Sequence, residues 1–122
     1  MIGNLLSNSI DAVEIGGRIR LRVSAISTSG LFSKGVRLTV ADSGPGIPDE
    51  VRAHIFEPFF TTKRDVGTGL GMWICKSIVD RYCGSIKIRS TTEEGKTGTV
   101  ISIVFPLSNQ GQAITDKLKQ VV

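Results

Sequence analysis

Three glycines fall within the five residues 67–71, and an apolar pattern of helical spacing follows them directly. The helical positions are Leu70, Ile74, Ile78 and Tyr82, with Gly84 at the end of the helix. Because a helix N-terminus carries free N–H groups and the positive end of the helix dipole, a glycine-rich turn at this place favours anion binding. The run has three possible interpretations: a dinucleotide-binding turn, a segment that closes over ATP, or a simple connection between two elements.

Two standard phosphate motifs fail when they are tested against the sequence. A dinucleotide turn needs a third glycine at position 72, which is Met72, and it follows a strand rather than the loop found here. The letters "GKT" at 95–97 resemble the end of a P-loop, but its first glycine would fall at Ser90. The glycines at 67–71 therefore need another explanation.

Helical and strand-like patterns alternate irregularly along the rest of the chain. Loop 57–68 has no clear periodicity, and loops of that length are often lids or binding segments. Because some strands come as neighbours, we expect an α+β fold: a two-layer sandwich with a mixed sheet packed on helices. The expected elements are a helix with Leu5, Leu6, Ile10 and Val13 on one face, strands at 18–26 and 36–42, a short helix capped by Asp49 and running through Ile55, the helix from Leu70, and a hairpin of strands at 85–90 and 99–106.

Composition limits the classes of function. The chain has 122 residues, 40% of them hydrophobic, which suits one packed domain. The net charge of +4 raises the question whether the chain binds nucleic acid. However, the arginines of "RIRLRV" alternate with apolar residues as on the solvated side of an amphipathic strand, and no aromatic residues interleave with them. We therefore expect no nucleic-acid partner.

The two cysteines and the hydropathy pattern indicate in which cellular compartment the chain is found. Cys75 and Cys83 fall in one helical segment, eight residues apart, too far around and along the helix for a disulfide. We expect reduced thiols with packing roles. No apolar run approaches the length of a membrane span. These features predict a cytoplasmic location with no membrane contact by this chain, although a longer parent protein is free to be membrane-anchored.

Four motifs occur in a fixed order: "NLLSNSIDA" on the opening helix, "DSGPGIP" after a strand, "FEPFFTTK" at the start of the long loop, and "GTGLGM" before a helix. In this order they resemble the N box, the two glycine boxes and the F box of the ATP-binding catalytic domain of sensor histidine kinases, within the superfamily of gyrase, Hsp90 and MutL. The resemblance implies a Bergerat-type ATP-binding fold. It predicts a catalytic domain at 1–107 and a polar C-terminal tail at 108–122.

The resemblance assigns the magnesium and phosphate contacts. It makes Asn8 the ligand of Mg²⁺, because a neutral amide oxygen suits a hard cation that keeps its waters and binds substrate phosphates. Ala12 is expected to line the same pocket, whereas Asp11 stands where many of these kinases carry a basic residue that reaches phosphate. Further phosphate-side contacts are expected from Lys63 and from the second glycine box: Gly67, Thr68, Gly69, Leu70, Gly71 and Met72.

The resemblance also assigns the adenine contacts. Asp42 is expected to accept a hydrogen bond from the exocyclic amine of adenine, while guanine presents a carbonyl oxygen there and leaves two acceptors facing each other. Gly44 and Gly46 let the backbone approach the base, and Ile47 belongs to the same box. Thr99 is expected to reach the same edge of the base through water. Asp42 therefore predicts selection of ATP over GTP.

The expected reaction is transfer of the γ-phosphoryl group of Mg-ATP to a histidine of another domain. The hydrolysing members of the superfamily carry a glutamate one turn before the magnesium asparagine, whereas this chain has Asn4, which cannot act as a general base. We assign Asn4 and Lys63 to catalysis. The only histidine, His54, does not resemble the phosphoacceptor motif, so a structural role is expected for it.

The partners expected from the resemblance are ATP, an upstream dimerisation and phosphoacceptor domain, and a downstream response-regulator receiver. Since the resemblance begins in the middle of the N box, the sequence suggests a C-terminal piece of a longer kinase. Two alternatives stay open: an ATP hydrolase of the same superfamily, and a nucleotide-binding module without catalysis.

Overall fold

The computed structural model describes residues 1–27, 34–62 and 67–107. Predictions for Lys63 and for the tail at 108–122 lie outside these residues. None of the helices in these ranges is long and apolar enough to cross a membrane. The elements are α1 (Ile2–Ala12), β1 (Ile19–Ser27), β2 (Lys34–Asp42), α2 (Asp49–Arg52), α3 (Gly71–Arg81), β3 (Ser85–Thr91) and β4 (Gly98–Pro106).

The four strands form one sheet in the order β1-β2-β4-β3, with α1 and α3 packed on one of its faces. The α+β fold is thus confirmed, but the expected mixed sheet is not: all three pairings between the described strands are antiparallel. The segment through α2 and α3 does connect two strands that run in the same direction, β2 and β3. However, β4 lies between them, so no parallel ladder forms.

The core lies between the sheet and the two long helices. The strands β2 and β4 pair in a register that places Leu38 opposite Ile103 and Val40 opposite Ile101. Because side chains alternate along a strand, these four residues share the face on which the helices pack. The buried apolar residues are Leu5, Leu38, Val40, Met72, Cys75, Val79, Ile101 and Ile103.

Both long helices are rotated relative to the faces expected from apolar spacing. On α1 the buried residues are Leu5 and Ser9, and Ile10 is 62% exposed. On α3 the buried residues are Met72, Cys75 and Val79 rather than the predicted Ile74 stripe. Each helix carries enough apolar residues for more than one stripe. Hydropathy alone therefore did not determine which stripe faces the core.

The two cysteines differ in their surroundings. Cys75 is buried in the core, and burial raises the pKa of its thiol. Cys83 is exposed, just beyond the end of α3, with a positive φ of 54°. Neither cysteine forms a disulfide, as expected, but a packing role fits only Cys75.

The short helix α2 is briefer than expected. It ends at Arg52 instead of reaching Ile55, and its N-cap is Pro48 rather than Asp49. Asp49 lies in the first turn and forms an ion pair with Arg52 at 2.5 Å between Oδ1 and the guanidinium nitrogen. A carboxylate in the first turn is favourable because of the helix dipole, so the sequence signal was correct in kind and shifted by one residue.

Candidate functional site

The two asparagines of α1 lie one turn apart and are both half-buried. The Asn4 side-chain nitrogen donates a hydrogen bond to the carbonyl oxygen of Gly71 at 3.4 Å. Gly71 is the first residue of α3, and a Cβ added there would lie 3.7 Å from the Asn4 Cβ. The structure thus brings the N box together with the N-terminus of the helix that follows the second glycine box.

Asp42 lies at the end of β2, half-buried, with one donor on each carboxylate oxygen. The Ser9 hydroxyl donates to Oδ2 at 3.2 Å, and the backbone N–H of Gly44 donates to Oδ1 at 3.0 Å. These two donors fix the orientation of the carboxylate, and each oxygen keeps a further lone pair. The arrangement can accept one more hydrogen bond from a ligand amine.

Thr99 is the partner of Asp42 across the β2–β4 ladder and is only 6% exposed. Its hydroxyl lies 2.8 Å from the Ser90 hydroxyl, which also accepts a hydrogen bond from the backbone N–H of Ile47 at 2.7 Å. Through Ser90, the first glycine box is joined to the strand that carries Thr99. Four of the predicted adenine-side residues therefore belong to one hydrogen-bonded region: Asp42, Gly44, Ile47 and Thr99.

Gly44 packs tightly between α1 and Asp42. A Cβ added to Gly44 would lie 2.9 Å from the carbonyl oxygen of Ala12 and 3.0 Å from Asp42 Oδ1. Any side chain would press on the carboxylate or on the end of α1. The glycine is thus needed for the approach of protein groups to one another, and Ala12 is brought to the same region as Asp42.

Gly46 requires glycine for its conformation and for its surroundings. Its φ is +82°, and an added Cβ would lie 2.1 Å from the carbonyl oxygen of Thr91. We expect Gly46→Ala to lower the free energy of unfolding by about 2–5 kcal/mol, because left-handed backbone strain and a clash with backbone add together. Denaturant unfolding of the purified chain measures this.

Gly95 is the matched control for Gly46. Its φ of +79° is nearly the same, but nothing lies within 4 Å of an added Cβ. We expect Gly95→Ala to cost only the backbone strain, about 1–2 kcal/mol. Equal losses for the two variants would contradict the close approach of Gly46 to β3.

Gly69, in the second glycine box, lies in close contact with the backbone of the F box. It has a φ of +69°, and an added Cβ would lie 2.4 Å from the carbonyl carbon of Phe59. Phe59 itself has a φ of 65° and is 74% exposed. The two ends of the segment between these residues are therefore held together by backbone contact. The neighbouring Gly67 is half-buried and Thr68 is exposed.

The remaining residues of the predicted phosphate side differ in placement. Leu70 is the N-cap of α3 and is half-buried. Met72 is only 7% exposed and belongs to the core, so its side chain packs inside the protein. His54 bonds Glu57 through Nδ1 at 2.8 Å on the exposed side of the chain, consistent with a structural role.

Two hydroxyl groups of the site were missed in the sequence. Ser9 follows Leu5 by one helical turn, so a buried hydroxyl there implied a buried polar partner. Ser90 continues the inward-facing positions of Ile86 and Ile88 on β3. Both serines could have been identified from the sequence, but only if the buried face of α1 and of β3 had been known.

A cavity of about 550 Å³ lies beside the first glycine box but does not coincide with the predicted site. Of the predicted residues it includes only Ile47. Its wall contains the carboxylates of Asp49, Glu50 and Glu93, which would repel a triphosphate. Two of the other predicted residues, Gly71 and Asp42, instead contact α1 through Asn4 and Ser9.

The donor set along α1 fits magnesium bound together with phosphates. Among the described residues, no group of three or more His, Cys, Asp or Glu side chains could hold a metal ion. Mg²⁺ keeps several waters and commonly uses one or two protein ligands plus substrate phosphates. A single half-buried amide, that of Asn8, matches this requirement, and the N-terminus of α3 lies across from the same helix.

Comparison with known proteins gives consistent results. Residues 1–109 match the family model described as histidine kinase-, DNA gyrase B-, and HSP90-like ATPase. The chain is 37% identical over 108 residues to sporulation kinase D of Bacillus subtilis, covering 88% of this chain and 19% of that protein. It is 40% identical over 100 residues to the C4-dicarboxylate transport sensor protein DctB of Rhizobium meliloti, covering 82% of this chain and 15% of that protein.

Solved structures show the same fold. The mycobacterial sensor histidine kinase MprB superposes with a TM-score of 0.70 at 32% identity, covering 84% of this chain and 67% of that one. The catalytic domain of histidine kinase ThkA superposes with a TM-score of 0.68 at 38% identity, covering 84% and 61%. The chain thus spans less than a fifth of the length of the two curated relatives and over half of these structures.

Proposed function

Because this chain belongs to the family of histidine kinase-, DNA gyrase B- and HSP90-like ATPases, we propose that it binds Mg-ATP and supplies the γ-phosphoryl group to a histidine on a separate domain. ATP binding is the activity that the family implies, and the two superposed structures named above are of histidine kinases. The acceptor, a dimerisation and phosphoacceptor domain, and a downstream response regulator belong to the proposal. So do the magnesium requirement and a cytoplasmic location.

One observation carries the proposal. Asp42 is held by two donors beside the buried Thr99, on the same side of the sheet as α1. This is an acceptor with lone pairs left for a ligand amine, on the helix side of the sheet, where α1 carries Asn8 and bonds the N-terminus of α3 through Asn4. An adenine amine and a magnesium-bound triphosphate are the two ends of ATP, and the residues supply one suitable group for each.

Each group of the chain has a distinct part in binding. The Asp42 carboxylate accepts from the base, while Ser9 and Gly44 hold it in orientation. The amide oxygen of Asn8 would hold magnesium, which supplies charge neutralisation of the phosphates when bound. The free N–H groups at the start of α3 favour the phosphates by hydrogen bonding and through the helix dipole.

Asn4 favours transfer over hydrolysis. A hydrolase needs a group that takes a proton from water, and an amide has no useful basicity. In this structure the amide nitrogen of Asn4 is already used as a donor to Gly71. The hydrolase alternative therefore lacks a base at this position, and we place Asn4 at the joint between α1 and α3.

The direct test is phosphoryl transfer in trans. The purified chain is mixed with γ-labelled ATP, magnesium and the dimerisation domain of a homologous sensor kinase. We expect label on the acceptor that is lost in acid and retained in base, as for phosphohistidine. A matched reaction with the acceptor histidine replaced by glutamine should stay unlabelled.

Two outcomes would contradict the proposal. Steady release of inorganic phosphate without any labelled acceptor would favour the hydrolase. Tight binding of ATP with neither release nor transfer, across several acceptor domains, would favour a nucleotide-binding module without catalysis.

A further inference from the structure

The face of the sheet that points away from α1 and α3 carries five exposed cationic residues. Side chains alternate along each strand, so the residues between the core positions all share this outer face. Strand pairing places Arg22 opposite Thr39 and Lys87 opposite Ser102 in one row. We call the set the basic face: Arg20, Arg22, Arg37, Lys87 and Arg89.

Within residues 1–27, 34–62 and 67–107, the strands place no carboxylate on the outer face of the sheet. Asp42, the only acidic residue in the four strands, points to the opposite side with Thr99. Four ion pairs between described residues lie away from this face: Asp49 with Arg52, Glu57 with His54, Asp80 with Lys76, and Glu93 with Lys96. Like charges close together on a sheet are destabilising, so the free chain gains nothing from this arrangement.

The cationic residues border a strip of small neutral side chains. Arg20 and Arg22 lie on β1 and Lys87 and Arg89 on β3, the two edge strands, whereas Arg37 lies on the inner strand β2, opposite Val104 at one end of the strip. Between them the outer face is formed by Thr39, Ala41, Val100 and Ser102. On the β1 side, a shallow cavity of about 300 Å³ is lined by Arg20, Arg22, Ser24, Arg37, Thr39 and Ala41.

The width of this strip matches an α-helix. Four neighbouring strands span about 14 Å between the outer two, and an α-helix with its side chains is about 10–12 Å across. Val100 offers a partly exposed apolar surface in the middle of the strip. A helix lying along the strands would place its central stripe on small residues and its two sides against the cations.

We propose that the basic face binds an acidic amphipathic helix on the surface of a partner protein. Carboxylates along both sides of that helix pair with the cations of the edge strands β1 and β3, a carboxylate toward one end pairs with Arg37 of β2, and small or apolar residues of the helix lie on Val100. Four of the five cations are arginines, whose planar guanidinium groups bind carboxylates with two parallel hydrogen bonds.

The same geometry disfavours other polyanions. Double-stranded DNA is read by an element that protrudes into a groove, whereas the neutral strip lies below its cationic borders. Single strands are bound by stacking on aromatic rings, and the outer face of the described strands has none. Peripheral membrane binding combines cations with protruding apolar residues, and here the apolar residue lies at the base of the strip.

The basic face is separate from the residues proposed to bind ATP. Asp42 and Thr99 point from β2 and β4 toward the helices, and the same strands present Thr39 and Ser102 on the outer side. Binding at the outer face therefore leaves the proposed nucleotide site open. This proposal does not depend on the proposed function, and ATP binding serves as an internal control.

The test uses a fluorescent helical peptide of about 20 residues, with alanine and leucine along one stripe and glutamates on both sides of it. We expect the peptide to bind the chain with an affinity that falls steeply as salt is raised, because the pairs are exposed. The double variant Arg22→Glu with Lys87→Glu, which reverses one charge on each border, should weaken binding by about tenfold or more. ATP affinity should stay unchanged.

Two controls make the result decisive. The same peptide with glutamine in place of glutamate should not bind, and Arg81→Glu, an exposed charge reversal on α3, should leave peptide binding intact. Equal peptide binding by the double variant and the unchanged chain would overturn the proposal. So would preferential binding of the basic face to phosphatidylserine vesicles or to a DNA duplex over the acidic peptide.

Discussion

Replacing Asp42 by alanine is expected to abolish the preference of the chain for ATP over GTP. The carboxylate is the acceptor proposed for the adenine amine, and with guanine it would face a carbonyl oxygen instead. Loss of this discrimination should remove about 1–3 kcal/mol, or about 5- to 150-fold in the ratio of the two dissociation constants. Calorimetric titration with each nucleotide in the presence of magnesium measures the ratio.

Alanine at this position also leaves the hydroxyl of Ser9, which is 2% exposed, without its acceptor. The variant Asp42→Asn guards against a folding defect, because one oxygen remains to accept from Ser9 or from Gly44. Its amide can also donate to a carbonyl, so we expect the selectivity to shift toward GTP. Asp49→Ala removes an exposed carboxylate outside the site and should change nothing. Unaltered selectivity in both Asp42 variants would reject the assignment.

Replacing Asn8 by alanine is expected to remove the magnesium dependence of ATP binding. Asn8 is the sole protein ligand proposed for the ion, so the variant removes the only proposed protein contact to magnesium. We expect affinity for Mg-ATP to fall by at least about tenfold, to the value measured for the unchanged chain with a chelator. Titration of both chains with ATP, with and without chelator, checks this.

The controls for Asn8 lie on the same helix. Asn8→Asp keeps an oxygen ligand and should retain magnesium dependence, whereas Ser7→Ala changes an exposed neighbour and should behave as the unchanged chain. A chelator effect that persists in full in the Asn8→Ala variant would show that another group binds the ion.

The fold was predictable where local patterns were unambiguous. The alternation in β2 and β4 identified both strands, and the glycines before α3 located its start to within a residue. Strand order was not predictable, because the insertion of β4 between β2 and β3 depends on contacts distant in sequence. For the same reason the buried stripes of α1 and α3 were misassigned: both helices have alternative apolar stripes, and packing selects one.

The candidate site was likewise predictable from the sequence only in part. Motif order pointed to Asn4, Asn8, Asp42 and Gly69 as site residues, and the structure joins Asn4 to Gly71 and Asp42 to the last turn of α1. The serines that orient these groups carry no motif, and their part depends on burial. The glycines of the first box were expected to make room for a base, and the structure gives Gly44 and Gly46 an additional reason, because a Cβ at either position would press on protein atoms.

The register of the β2–β4 pairing determines what a molecule with mispaired strands would lose. The same pairing that sets Leu38 against Ile103 sets Asp42 against Thr99. A slip by one residue would turn every side chain of one strand to the other side. Misregistered molecules would therefore lose the proposed adenine contacts and the apolar interior in a single event.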